Sequence, residues 1–179
     1  MRGFVTPNRY IDIMSSLRVE MIGMPSSHKL LITLKIIPPK KYKAFLSEYE
    51  TTTGLPTQLE IEIENIGKNR FPGAVFVEEQ IVLETAIALR DVTTGGGVVP
   101  PKIRSLKPEE KVIIRCNWTA RIPGPSRVAM YITAKGNGKI NFYRTRTGQP
   151  REEWHSVFYV VDRHQLDLAL LLQKSLMER

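Results

Sequence analysis

The chain has 179 residues, of which 42% are hydrophobic and 25% are charged. This composition is that of a globular protein and argues against a disordered one, while 12 prolines and 12 glycines are typical of short strands joined by turns. The single cysteine, Cys116, excludes an internal disulfide framework and a structural zinc site built on thiolates. The formal net charge of +8 favours an anionic partner but does not locate a binding site.

The first fifty residues predict an arm, two strands and a short helix. Residues 1–16 show little periodicity and are predicted to form the arm, while alternation predicts strands at 17–22 and 30–37. Apolar residues at helical spacing predict a short helix at 40–50. No apolar run has the length of a secretion signal or a membrane span, so the sequence predicts a cytoplasmic protein.

Residues 57–67 carry the clearest pattern in the chain. Leu59, Ile61 and Ile63 alternate with three glutamates, which predicts a strand with one dry face and one wet face. Such a strand cannot be covered on both faces, so it favours an antiparallel sandwich over a doubly covered parallel sheet. Asn-Ile-Gly at 65–67 predicts a turn through residues that tolerate positive φ.

The segment that follows leaves two structures open. Residues 74–77 favour a strand, whereas residues 78–92 fit either a helix or a pair of short strands, and their β-branched residues favour strands. Three consecutive glycines at 95–97 predict an exposed, flexible loop tip. They do not predict a phosphate-binding loop, because no Lys-Ser/Thr pair follows them.

Four more strands are predicted in the second half of the chain. Alternation predicts strands at 112–118, 128–134 and 154–160, and Gly-Asn-Gly at 136–138 predicts a tight hairpin into a strand at 140–143. The inward-facing side chains of these strands and of the central one predict a single core: Leu59, Ile61, Ile63, Ile114, Cys116, Trp118, Val128, Met130 and Phe158.

A terminal helix completes the predicted domain organisation. Asp162, with Gln165 three residues later, predicts an N-cap and capping box for a helix over 163–177. The chain is then divided into an arm at 1–16, a sandwich at 17–161 and a helix at 162–179.

The apolar arc of this helix is wider than packing on one sheet requires. Either the arm covers the remainder, or a second copy of the chain does, and we favour a two-fold homodimer. The candidate oligomer interface consists of leucines: Leu166, Leu168, Leu171, Leu172 and Leu176.

Two blocks of the sequence resemble a known family. The strand at 59–67 ends in Asn-Ile-Gly, and residues 106–114, Leu-Lys-Pro-Glu-Glu-Lys-Val-Ile-Ile, run on to Trp118 and a turn at Gly124. These blocks resemble CARDB-type domains and related immunoglobulin-like sandwiches over the central half of the chain. The resemblance implies a sandwich of about seven strands used for adhesion, spacing or partner binding, with no catalytic residue to carry over. The long segment at 78–102 and the terminal helix depart from that pattern.

Few residues offer catalytic or metal chemistry. Cys116 alternates into the predicted core, where a thiol behaves as a small hydrophobic group. His28, His155 and His164 are far apart in the sequence and are interpreted as solvated side chains, not as metal ligands. The sequence therefore predicts no cofactor, no metal site and no enzymatic activity.

The best surface candidate is a basic cluster around the predicted hairpin at 136–138. Lysines and arginines there could contact phosphates while a tyrosine stacks on a base, although hairpin tips are often basic for solubility alone. The candidate anion or nucleic-acid surface consists of six residues: Lys135, Lys139, Tyr143, Arg144, Arg146 and Arg151.

These patterns favour a mainly β protein, an antiparallel immunoglobulin-like β-sandwich with a C-terminal α-helix. The predicted function is a non-enzymatic protein-interaction or scaffold module whose partner is another protein or a second copy of itself. The alternative is a nucleic-acid-binding protein that uses the basic hairpin surface.

Overall fold

The computed structural model describes residues 26–85, 102–136 and 138–178. Within these ranges the chain is mainly β and ends in a helix, as predicted. The elements in chain order are β1 (Ser27–Ile37), a 3-10 helix (Lys40–Phe45), β2 (Glu50–Thr52), β3 (Pro56–Asn65), β4 (Ala74–Thr85), β5 (Lys111–Thr119), β6 (Gly124–Ala134), β7 (Lys139–Tyr143), β8 (Trp154–Val161) and α1 (Arg163–Met177). The predicted arm at 1–16, the strand at 17–22 and the glycine tip at 95–97 lie outside the described residues.

The strands form two four-stranded sheets. Sheet A has the order β5-β3-β1-β7, and sheet B has the order β2-β8-β6-β4. The β1–β7 and β2–β8 pairs are parallel, whereas β1–β3, β3–β5, β4–β6 and β6–β8 are antiparallel. Mixed sheets correct the prediction of a purely antiparallel sandwich. The strands that pair in parallel, β7 with β1 and β2 with β8, are far apart in the sequence. No hairpin turn connects them, so no local sequence signal predicts these pairs.

One hydrophobic core lies between the two sheets and confirms the predicted set of nine residues. Eight of the nine are buried, and Cys116 is half-buried against them. The ring of Trp118 from β5 meets that of Phe158 from β8 edge to face, with centroids 5.5 Å apart, so these two residues join the sheets.

The wet face of β3 is an ion-paired ladder. Lys111 Nζ lies 2.8 Å from Glu62 Oε1 and 3.6 Å from Glu64 Oε2. Arg115 Nε lies 2.8 Å from Glu60 Oε1. Both basic residues come from β5, whose register sets Lys111 opposite Glu64 and Arg115 opposite Glu60. The alternation read from the sequence is confirmed, and the glutamates on the wet face are matched by cations from the next strand.

The turn after β3 depends on an asparagine side chain instead of on positive φ. Asn65 Oδ1 accepts a hydrogen bond from Gly67 N at 3.0 Å, and Asn65 Nδ2 donates to Leu106 O at 3.0 Å. The left-handed residue comes later, at Gly73, with φ of 96°.

The predicted helix at 40–50 is shorter than expected. Only Lys40–Phe45 is helical, as a 3-10 turn with Tyr42 buried, and Glu50–Thr52 is a strand paired in parallel with β8. The apolar spacing at 40–50 therefore does not mark one continuous helix. It combines the buried Tyr42 of the 3-10 turn with the start of an extended segment.

The predicted hairpin at 136–138 is also corrected. β7 does not pair with β6, because β4 and β8 already occupy both edges of β6. The chain crosses instead to the open edge of β1, where Ile140 and Phe142 enter the core.

The helix N-cap is confirmed, since Asp162 Oδ1 accepts a hydrogen bond from His164 N at 3.0 Å.

The junction between β1 and β7 requires a residue without a side chain at Gly138. A Cβ there would lie 2.7 Å from His28 Cδ2 and closer still to His28 Nε2, and the His28 ring is held edge to face against Phe71. We expect Gly138→Ala to lower the free energy of unfolding by about 1–3 kcal/mol in urea titrations. Adding His28→Ala should remove most of the extra penalty of the alanine, as a double-mutant cycle would show. Equal effects of Gly138→Ala with and without His28 would contradict this packing.

Candidate nucleic-acid interface

The predicted basic residues do not form one surface. Because Ile140 and Phe142 point into the core, Lys139 and Tyr143 face outward on sheet A. Lys139 Nζ lies 2.5 Å from Glu152 Oε1, so its charge is balanced locally.

Arg146 and Lys135 are two further members of the predicted set. Arg146 forms an ion pair with Glu64, a carboxylate of sheet A whose side chain is only 4% exposed. Lys135 follows the end of β6, where its backbone N–H donates to Gly73 O at 2.8 Å. Lys139 and Arg146 therefore have glutamates beside them, and Arg144 and Arg151 remain as candidates for a binding surface.

That surface lies on the outer face of sheet B and along its β8 edge. We call it the arginine–tyrosine face, and it consists of seven residues: Tyr49, Arg127, Arg144, Arg151, His155, Val157 and Tyr159. Ser126 and Val128 are buried, so Arg127 between them points outward, and the β6–β8 register sets it opposite Val157. Antiparallel pairing thus brings residues about thirty positions apart onto one face.

His155 lies at the centre of the positive charge on this face. Its pKa is lowered from the ordinary value first by burial and then by the charges of Arg144, Arg127 and Arg151, with Glu153 acting in the opposite direction. Arg144 Nη2 also donates to His155 O at 3.0 Å, which fixes one guanidinium at the strand edge. Three arginine charges therefore act on one histidine of β8.

Two tyrosines extend the face toward β2. Tyr159 N donates to Tyr49 O at 2.9 Å, and the two side chains are 48% and 53% exposed respectively. Val157, 63% exposed, lies between Tyr159 and His155 on β8. A Glu48 carboxylate that accepts a hydrogen bond from Tyr49 raises the pKa of that phenol. The face thus combines cations with aromatic rings that stay in water.

A cleft of about 330 Å³ opens beside this face. Two strand edges border the cleft. β7 pairs with β1 only as far as Leu31, and β2 pairs with β8 only from Tyr159 onward, so among the described residues the edge of β1 after Leu31 and the edge of β8 before Tyr159 have no strand beside them. Residues of both sheets and of the flanking loops line the cleft: Ile32, Thr33, Leu34, Tyr49, Arg144, Trp154, His155, Ser156 and Val157.

A larger cleft of about 660 Å³ lies at the start of α1 and is lined by Arg121, Arg163 and His164 among others. Asp162 caps the helix there and Asp167 Oδ2 lies 3.7 Å from Arg163 Nε, so two carboxylates lie among the cations of this cleft.

The residues considered for catalysis or metal binding are separate in the structure. Cys116 contacts Leu59 O at 3.9 Å through Sγ, and burial raises its pKa to about 11. Within the described ranges, no three His, Cys, Asp or Glu side chains are placed to hold a metal ion.

The predicted oligomer interface divides between two sides of α1. Leu166 is buried against its own chain, which removes it from any exposed interface, whereas the other four leucines are exposed: Leu168, Leu171, Leu172 and Leu176. The described helices are too short or too polar to cross a membrane.

Sequence reasoning missed Arg127, His155 and both tyrosines as a group. A signal was present, because His155, Val157 and Tyr159 alternate outward on the last strand, yet only the β6–β8 and β2–β8 pairings show what lies beside them.

Comparisons with known proteins add little to this geometry. No protein-family model and no curated protein matches the chain. One similar solved structure is the Pseudomonas fluorescens alkylpurine DNA glycosylase AlkC bound to DNA containing an abasic site analog, with a TM-score of 0.39 and 12% identity. The match covers 82% of this chain and 33% of that one, so this chain spans about a third of its length.

These findings correct two expectations. The resemblance to CARDB-type and immunoglobulin-like domains is not supported, because no family model matches the chain. The expectation of a non-enzymatic protein is not supported either, and a likeness with a TM-score of 0.39 assigns no reaction to this chain. The coarser description stands: a mainly β protein of two mixed four-stranded sheets with a C-terminal helix.

Proposed function

We propose that this protein binds single-stranded nucleic acid across the arginine–tyrosine face. The observation that carries the proposal is the gathering of Arg127, Arg144 and Arg151 around His155, beside two half-exposed tyrosines. The net charge of +8 adds long-range attraction for a polyanion. This is the alternative function predicted from the sequence, moved to a different surface.

The arginines supply the phosphate contacts. A guanidinium presents several N–H donors in one plane and binds phosphate oxygens in pairs, so a cluster of arginines fits a phosphodiester backbone. A bound polyanion would also favour protonation of His155, whose pKa is lowered first by burial and then by the arginine charges.

The tyrosines supply the preference for single strands. Exposed aromatic rings stack on bases only where those bases are not already paired and stacked, and each such contact is worth about 1–3 kcal/mol. Tyr49 and Tyr159 adjoin each other through the β2–β8 pairing, so successive bases have two adjacent rings to stack on.

The protein-interaction hypothesis retains one specific observation, the exposed leucines of α1, and a homodimer stays a prediction. A cytoplasmic location and the division into arm, sandwich and helix stay predictions.

The proposal predicts a salt-dependent affinity that two arginines control. In fluorescence-anisotropy titrations with a labelled oligothymidine, Arg144→Gln/Arg151→Gln should weaken binding about 10- to 100-fold at low salt. The slope of log K against log salt should fall by about 1.4, because each lost phosphate contact on a single strand contributes about 0.7. Tyr159→Ala should weaken binding at every salt concentration, and Tyr159→Phe should restore it, since a phenyl ring still stacks.

A matched control removes the same charge elsewhere. Lys68→Gln/Lys107→Gln takes two positive charges from exposed turns flanking β3 and β5 and should change affinity by less than about threefold. Equal losses in the two double variants would show non-specific attraction to a basic protein and would overturn the proposed site.

A further inference from the structure

Glu64 is more deeply buried than the other glutamates of the ladder on β3. Its side chain is 4% exposed, whereas those of Glu62 and Glu60 are 38% and 17% exposed. A buried carboxylate costs free energy unless cations or hydrogen-bond donors replace the lost water. Two cations do so here, since Lys111 Nζ lies 3.6 Å from Glu64 Oε2 and Arg146 Nη2 forms an ion pair with Glu64 Oε1. Lys111 lies nearer to Glu62, which leaves Arg146 as the closer cation.

Arg146 reaches Glu64 from a loop beyond the edge of sheet A. Leu31 of β1 lies opposite Glu64 on one side and opposite Tyr143 of β7 on the other. Glu64 is therefore two strands, or roughly 10 Å, from the last residue of β7. Arg146 follows Tyr143 by three residues. The ion pair thus ties the chain that leaves β7 back onto the outer face of sheet A.

The same loop carries two arginines of the arginine–tyrosine face. We call residues 144–153, between β7 and β8, the β7–β8 loop. The backbone of Arg151 closes this loop at its base by exchanging two hydrogen bonds of 2.8 Å with β7. Arg144 Nη2 donates to His155 O at 3.0 Å, which attaches the loop to sheet B. The loop is thus fixed to sheet A through Arg146 and to sheet B through Arg144.

We propose that Glu64 is a positioning residue for nucleic-acid binding: through Arg146 it holds the β7–β8 loop in the conformation that presents arginines on the arginine–tyrosine face. The inference rests on the function proposed above. Glu64 lies on sheet A and the arginine–tyrosine face lies on sheet B, so the effect of Glu64 passes through the loop. A buried ion pair adds little net stability over an apolar pair of similar size, and its best-attested role is to fix one arrangement of the chain.

The variant Glu64→Gln separates positioning from simple electrostatics, because the two predict opposite signs. Loss of a carboxylate from a basic protein strengthens its long-range attraction for a polyanion. A released loop instead weakens binding of labelled oligothymidine by about 3- to 10-fold and lowers the slope of log K against log salt by up to about 0.7, the value of one phosphate contact. Glu60→Gln is the matched control, since it takes the same charge from the same face of β3 and its partner Arg115 lies on β5. This control should bind at least as tightly as the wild type.

The pH titration of His155, followed by NMR in the free protein, gives a readout that needs no nucleic acid. Burial and then arginine charges, that of Arg144 first, lower the pKa of this histidine. If Glu64→Gln releases the loop, those charges move away and the pKa of His155 rises. Loss of a carboxylate charge by itself would lower that pKa, so the sign again identifies the cause. Glu60→Gln should not raise it.

Arg146→Gln keeps the test available if the buried substitution prevents folding, because Arg146 is an exposed loop residue. Hydrogen exchange of the Arg151 amide, which is bonded to β7 at the base of the loop, should quicken at least about fivefold. Arg115→Gln, which removes the same kind of charge from an ion pair outside the loop, should leave that exchange rate unchanged.

The outcomes distinguish the positioning role from the binding function. A wild type that fails to bind oligothymidine would overturn the binding function, and the His155 titration would still show whether Glu64 holds the loop. Equal affinities and equal His155 pKa values in Glu64→Gln and Glu60→Gln would overturn the positioning role, even if the wild type binds tightly.

Discussion

Trp118→Ala is expected to lower the free energy of unfolding by about 3–5 kcal/mol. The side chain is 2% exposed, and its ring packs edge to face on Phe158 across the two sheets. Alanine would leave a cavity between the two sheets, which the paired strands around it cannot fully close. Urea unfolding followed by circular dichroism measures this loss.

Two variants separate packing from other causes. Trp118→Phe should cost much less, because a phenyl ring fills most of the volume and removes an indole N–H that has no acceptor among the described residues. Ile113→Ala, on the outward side of the same strand, should cost less than about 1 kcal/mol. If Trp118→Ala and Ile113→Ala had similar effects, Trp118 would not be the link between the sheets.

Tyr42→Ala is expected to lower the free energy of unfolding by about 3–5 kcal/mol and to loosen α1. The tyrosine is fully buried and its hydroxyl donates to Asp167 Oδ1 at 2.6 Å, while Lys41 bonds both the hydroxyl and the carboxylate. These contacts hold the pKa of Asp167 below its ordinary value, chiefly through the hydrogen bonds from Lys41 and Tyr42.

Tyr42→Phe isolates the hydroxyl and should cost about 1–2 kcal/mol. Hydrogen exchange of the α1 amides should quicken in both variants, and more in the alanine variant, while exchange in β3 reports only the global change. Unchanged exchange in α1 of the Tyr42→Ala protein would show that the helix is held by other contacts.

The parts of the fold that the sequence predicted are those set by local periodicity. Leu59, Ile61 and Ile63 are buried because strict alternation forces them onto one face, and Asp162 caps α1 because its side chain reaches the first free N–H groups. Residues 78–85 are strand, as favoured, and the remainder of the 78–92 segment lies outside the described residues.

The predictions that were wrong concern strand pairing, which depends on which strand edges are free. Gly136 does turn the chain, with φ of 86°, but the strand after it cannot pair with β6, whose two edges are occupied. Periodicity describes the faces of a strand and carries no information about its edges. The parallel pairings of β7 and β2 were therefore invisible before the sheets were known.

The candidate site follows the same rule. Arg144 and Arg151 were singled out from the sequence because they lie near each other in the chain, whereas Arg127 and Tyr49 reach them only through the pairing of β6 and β2 with β8. Lys139 and Arg146 satisfied the same compositional signal, yet Glu152 and Glu64 pair with them in space.

Binding at the arginine–tyrosine face is tested most directly by an NMR titration of the isotope-labelled protein with an unlabelled oligothymidine of about ten nucleotides at low salt. The account predicts that amide and side-chain signals of Arg127, His155 and Tyr159 shift together in a saturable manner, and that the shifts disappear as salt is raised. Shifts confined to sheet A, or none at all under these conditions, would contradict it.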